Sequence, residues 1–160
     1  MNGSKVAGRF VATALVAVAA CSTGFAQNAA PGCTKQQQTY VCNWEGFRAD
    51  LSTAATVAIR SERLDPYTGV QLKDLAKSLD KKIVEKDADL GFEVVPVDSN
   101  GVRVGPGDEA LVELRVYAKT PLTNRYDPVW VETYTGQADR PWATTVHAVI
   151  EQFQERIAKH

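Results

Sequence analysis

The sequence predicts an α+β domain, with a mainly antiparallel or mixed sheet of four to five strands and two helices packed on one face. Residues 111–118 and 129–135 alternate between two sets of side chains at period two, as strands do. Two other segments, around residues 72–83 and 142–157, repeat their apolar residues at spacings of three and four, as helices do. A sheet with helices on one side lets both patterns bury their apolar surfaces, and leaves the second sheet face open.

Between Thr53 and Glu62, Val57 and Ile59 alternate with Ala58 and Arg60, which predicts a first strand ending before Asp65-Pro66. Thr68 with Gln71 has the form of a capping box, and Leu72, Leu75, Ala76, Leu79 and Ile83 follow as one helical stripe. The helix is expected to stop near Asp89-Leu90-Gly91, where glycine can take a left-handed conformation. Phe92 to Val95 reads as the next strand, Ser99-Asn100-Gly101 as a hairpin-like turn, and Gly105 to Asp108 as a second turn. Val112, Leu114, Val116 and Ala118 then form one side of a strand, with Leu111, Glu113, Arg115 and Tyr117 on the other. After a loop from Pro121 to Pro128, Val129, Val131, Thr133 and Thr135 alternate with Trp130, Glu132 and Tyr134 until Gly136. Asp139 and Pro141 open a last helix carrying Trp142, Val146, Val149, Ile150, Phe153 and Ile157 on one stripe.

The N-terminal end reads as an export signal, with Lys5 and Arg9 ahead of an apolar stretch from Phe10 to Ala20. At about 1.5 Å rise per residue that stretch covers about half of a roughly 30 Å hydrocarbon core. Two processing routes fit. Gly24-Phe25-Ala26 suits cleavage after residue 26, whereas Val18-Ala19-Ala20-Cys21 resembles a lipobox that would leave a lipidated Cys21, with Ser22 favouring outer-membrane sorting. The expected location is the periplasm, either soluble or tethered to the outer membrane as a lipoprotein. Both routes remove Cys21 from the thiol count and leave Cys33 and Cys42, expected to form a disulfide in an oxidising compartment. The expected organisation is residues 1–26 as signal (1–20 if lipidated), 27–42 as spacer and disulfide loop, and 43–160 as one domain.

The 18 basic and 19 acidic residues are interspersed, which argues against nucleic-acid binding. No nucleophile–histidine–acid arrangement is evident: His147 lies within the last helix and His160 at the chain end. Asp87 with Asp89, and Asp108 with Glu109, are spaced as surface acids rather than as a general acid–base pair. Asp98-Ser99-Asn100-Gly101 starts like a calcium loop, but Gly105, Pro106 and Gly107 disturb the later ligand positions, so a turn is the better account. No cofactor or metal ligand set is expected, and no catalytic residue.

Leu90-Gly91-Phe92, Asp108-Glu109-Ala110-Leu111-Val112, Val129-Trp130 and Thr135-Gly136, in this order between the two helices, give a resemblance over residues 50–158. The chain resembles small bacterial envelope lipoproteins whose domain is related in fold to the TolB N-terminal domain, the curli secretion lipoprotein and the lipoprotein activators of penicillin-binding proteins. The resemblance implies an α/β fold that acts by contacting other envelope proteins rather than by catalysis.

The candidate binding residues are Arg115, Tyr117, Trp130, Glu132 and Tyr134, because aromatic side chains and arginine bury much area while keeping a polar handle. If their strands are neighbours these residues form one patch on an open sheet face. The competing possibility is that the rings pack against Trp44 and Phe47. The function expected is a non-enzymatic envelope binding or accessory protein with a protein partner and the membrane reached only through a lipid on Cys21. The alternatives are a small periplasmic hydrolase, a glycan- or other ligand-binding protein, and a lipid carrier.

Overall fold

The computed structural model describes residues 32–37, 39–60, 66–120, 125–135 and 140–160. The signal segment, Cys21, Asp65, Gly136 and Asp139 lie outside the described residues, as does part of the spacer and of the loop before residue 125.

The chain begins with a hairpin of β1 (Cys33–Gln36) and β2 (Thr39–Cys42), closed by a Cys33–Cys42 disulfide between residues paired across the two strands. A helix not anticipated from the sequence follows, α1 (Trp44–Thr53). The Asn43 side chain accepts from the Gly46 N–H at its start, and Trp44, Phe47 and Leu51 place one apolar stripe on the core. Then come β3 (Thr56–Ile59), α2 (Pro66–Ser78), the two-residue β4 (Lys82–Ile83), β5 (Leu90–Val97), β6 (Leu111–Thr120), β7 (Arg125–Thr135) and α3 (Trp142–Lys159).

The five-stranded sheet has the order β4-β3-β5-β6-β7 and is mixed, since β3 runs parallel to β4 and β5 while β5–β6 and β6–β7 are antiparallel. The α+β class therefore holds, with one helix more than expected. All three helices share one core with the sheet: Phe47 from α1, Leu72, Leu75 and Ala76 from α2, and Val146, Val149, Ile150 and Phe153 from α3. They meet Val57, Leu90, Phe92, Val94, Val112, Leu114 and Val116. Among the described residues no helix is long and apolar enough to cross a membrane.

Three local expectations are corrected. Helix α2 starts at Pro66, whose fixed φ suits a helix start, so Thr68 sits inside the first turn rather than capping it, and its buried hydroxyl accepts from Trp142 Nε1 at 3.0 Å. The same helix ends at Ser78, well before Gly91. Asp80 takes the left-handed conformation (φ 55°), Lys81 N–H donates to Ala76 O, and Asp80 N–H donates to Lys77 O, which closes the helix without glycine. Ile83 consequently belongs to β4, and Gly91 lies inside β5. The Val-containing run after the turn at Ser99-Asn100-Gly101 forms only an isolated bridge, Val97 with Arg103, and the turn is held by Asp98, whose carboxylate accepts from the Asn100 and Val102 N–H groups.

Candidate functional site

Residues directly opposite one another in an antiparallel pair share a sheet face. Trp130 stands opposite Val116, Glu132 opposite Leu114 and Tyr134 opposite Val112, so this set faces the helices. Arg115 stands opposite Val131, and Tyr117 follows it on the outer face, past a register irregularity between Val116 and Tyr117. The strands are neighbours, as the patch required, but the register divides its five residues between the two sides of the sheet.

On the helix side Trp130 is 8% exposed and lies 4.9 Å from Trp44 and 5.2 Å from Phe47, ring centroid to ring centroid, so the packing alternative describes its position. Glu132 is 2% exposed. Arg156 donates to both its oxygens, at 2.7 and 2.9 Å, Trp130 Nε1 donates at 3.1 Å, and the Gln152 amide donates as well. Burial alone would raise this carboxyl, but the bonds from Arg156, Gln152 and Trp130 outweigh it and hold Glu132 below the usual carboxylate range. Glu132 thus ties α3 to β7. Tyr134 packs at the edge of the core and its hydroxyl accepts from Arg140.

The outer face carries a different set. Tyr117 donates its hydroxyl to Glu93 at 2.9 Å, and Glu93 pairs with Arg103 at 2.7 Å. Burial, reinforced by the Glu93 charge, pushes the Tyr117 hydroxyl up to about 12, so it stays protonated and donating. Arg115 pairs with Glu113, itself only 3% exposed, at 2.6 Å, and the Tyr40 ring from the hairpin lies 5.4 Å from its guanidinium. Beyond them Arg60, at the end of β3, lies 3.9 Å from the Tyr126 ring centroid and 5.5 Å from that of Tyr117.

Gly91 makes the Arg60 position available. A Cβ built there would come within 2.6 Å of Arg60 Nε, so the arginine crosses the sheet where β5 has no side chain. Arg60 is exposed and, among the described residues, makes no ion pair. It borders a cleft of about 500 Å³ with Lys86, Lys119 and Tyr126, and with the acids Glu85 and Asp87. Lys119 is paired with Asp87 at 3.3 Å, and Tyr126 donates its hydroxyl to Ala88 O at 2.8 Å. The alternation of residues 57–60 places Arg60 on a strand but does not show which rings face it. Its nearness to Tyr126, sixty-six positions away, is a product of the sheet order, and the nearest sequence signal is Gly91, whose glycine equally suits the helix stop expected there.

The other acidic candidates are engaged structurally. Asp89 accepts from Ala55 N–H and Thr56 N–H, both at 2.9 Å, and from the Thr56 hydroxyl at 2.8 Å. The Thr56 hydroxyl, followed by the Ala55 and Thr56 backbone bonds, holds Asp89 below the usual carboxylate range. Asp89 borders a second cleft of about 380 Å³ together with Asp50, whose carboxyl burial raises. Glu109 accepts from the Gly107 N–H, and Asp108 is exposed in the same turn. Among the described residues no group of three or more potential ligands could hold a metal. His147 Nδ1 lies 3.4 Å from Gln71 Oε1 on the α2–α3 surface, and the His160 ring lies 5.2 Å from that of Trp44.

Site and fold together define an α+β protein whose sheet has a helix-covered side and a polar, aromatic side lined by arginines. No family model, no curated protein and no solved structure matches the chain.

Proposed function

We propose that this chain is a non-enzymatic binding protein of the bacterial cell envelope, exported by its N-terminal segment, and that it engages an envelope partner through the outer face of its sheet. The observation that carries the reading is Arg60, its guanidinium carbon 3.9 Å from the Tyr126 ring centroid and close to Tyr117, exposed and without an ion pair among the described residues. Arginine and tyrosine in this arrangement bring large contact area, a fixed charge and little further ordering on binding, the features of an interface hot spot. The resemblance to envelope lipoproteins that act through protein contacts supports the same class. The recognition surface assigned is Arg60, Tyr117, Tyr126 and Arg115, in place of the Trp130, Glu132 and Tyr134 set.

Two measurements test this. Intact mass of the mature protein from the producing bacterium, with and without reductant, is expected to show either an N-terminus at Gln27 or an acylated Cys21, with the Cys33–Cys42 bond intact before reduction. An unprocessed Met1 terminus would contradict export. The double variant Arg60→Ala/Tyr126→Ala, checked for an unchanged thermal midpoint, is expected to lose the partner that chemical crosslinking in intact cells captures with the wild type. Retention of that same partner would remove the outer face from the proposal.

A further inference from the structure

We infer that Arg60 is the anchor for an oxyanion, a carboxylate or phosphate group carried by whatever binds the cleft beside β3. The inference rests on the outer face being the recognition surface and names the chemistry it recognises.

The guanidinium is already positioned. Tyr126 lies beside it at 3.9 Å, Tyr117 sits at 5.5 Å, and the Cδ, Nε and Cζ of Arg60 lie in the space that a Cβ at Gly91 would take, so little side-chain freedom remains to be lost on binding. A ring beside a guanidinium does not consume its N–H groups as a carboxylate does, and those groups meet an oxyanion two at a time. Arg115, Arg103 and Arg156 each have a carboxylate within 2.7 Å, from Glu113, Glu93 and Glu132 respectively. Arg60 has a prepared position and no such partner among the described residues.

The cleft supports the same sign of charge. It brings Arg60, Lys86 and Lys119 together against Glu85 and Asp87, and Asp87 is engaged by Lys119. A volume of about 500 Å³ lies within the ordinary range for small-molecule sites, roughly 300–1,000 Å³. A single anionic group with its immediate substituents fits it.

The test is a titration of the full mature protein with inorganic phosphate and, separately, with succinate. Ionic strength is held constant with chloride, and the backbone amide signals of Gly91 and Tyr126 are followed by nuclear magnetic resonance. A saturable shift with either probe is expected. Response to phosphate alone assigns a phosphoryl-bearing ligand, response to succinate alone a carboxylate-bearing one, and response to both a site selective for charge and shape only. Arg60→Ala should abolish the shift, and Arg60→Lys should weaken binding about tenfold, because an ammonium keeps the charge but lacks the fork.

Gly91→Ala provides an independent arm. The three atoms nearest its Cβ all belong to the flexible Arg60 side chain, so the fold should be retained while the guanidinium is displaced, and affinity should fall with the thermal midpoint little changed. The inference is overturned if neither probe gives a saturable shift beyond the chloride control, or if the shift survives in Arg60→Ala. An oxyanion shift that survives in Arg60→Ala, with partner crosslinking lost on the double variant, would refute the anchor and leave the outer-face role standing. Loss of crosslinking on the double variant with the oxyanion shift absent in the wild type would do the same.

Discussion

On the helix side of β7, the Glu132 carboxylate receives four donated bonds from Arg156, Gln152 and Trp130 and is closed from solvent; on the other side of the same sheet, Arg60 rests beside Tyr126 and meets no carboxylate among the described residues. Each side mixes aromatic rings with charged groups, so composition does not separate them. What separates them is completion. Between β7 and α3 both carboxylate oxygens of Glu132 have partners, which is the condition for burying a charge at all. A side chain such as Arg60 adds little to stability and leaves its donors available to a ligand.

The comparison can be broken first at Trp130. Trp130→Ala removes a ring packed between Trp44 and Phe47 and should cost about 3–5 kcal/mol in urea unfolding. A cost below about 1 kcal/mol, the ordinary range for a surface position, would mean that this side of the sheet is not the core.

Glu132→Gln should cost about 2–4 kcal/mol, because Arg156 loses its bidentate partner while its neighbours remain buried. The pH dependence has a definite sign. Glu132 and Asp89 both titrate below their ordinary range in the folded protein, so their contribution is fully present above the unfolded carboxylate values and is lost as pH falls through the depressed folded ones. Wild-type stability should therefore decline below about pH 4, and Glu132→Gln should decline less steeply over that range.

Asp89→Ala should cost about 1 kcal/mol, the three bonds to Ala55 and Thr56 being discounted for exposure. A smaller effect is expected on the outer face. The Tyr117 hydroxyl is raised, so its contribution is complete below about pH 10 and is lost as pH rises toward about 12. Tyr117→Phe should leave stability near neutral pH within about 1 kcal/mol of wild type and should flatten the alkaline decline. Arg60→Ala should be the smallest of all, within about 0.5 kcal/mol, with its consequence confined to binding.

The sequence showed the class of fold because its strongest periods sit in the longest elements. The alternation of residues 111–118 and 129–135 became β6 and β7, and the three-and-four spacing from Trp142 to Ile157 became α3. Helix α1 has signals of its own in Asn43, Glu45 and the Trp44, Phe47, Leu51 spacing, but at ten residues its stripe is too short to stand out as a period. The end of α2 was unreadable for a physical reason: a non-glycine residue, Asp80, takes the left-handed position.

The site was half legible. Period two correctly divided β6 and β7 into alternating sets, but alternation does not say which set the helices cover. A glutamate in the Trp130 set argues for solvent, and it is Arg156, twenty-four positions further along the chain, with Gln152 and Trp130, that makes burial of that carboxylate tolerable. Arg60 and Tyr126 are neighbours only after β3, β5, β6 and β7 have been laid side by side. Gly91 carried the trace of that proximity, in a form that a local reading assigns to a helix stop.

The most direct test places a photoreactive side chain at position 126 and, in a second strain, at position 134, and irradiates intact cells of the producing bacterium. Position 126 lies beside Arg60 on the outer side of the sheet, and position 134 faces the core with Trp130 and Glu132. The account predicts a defined partner adduct from position 126 and none from position 134; an adduct from position 134 with none from position 126 would contradict it.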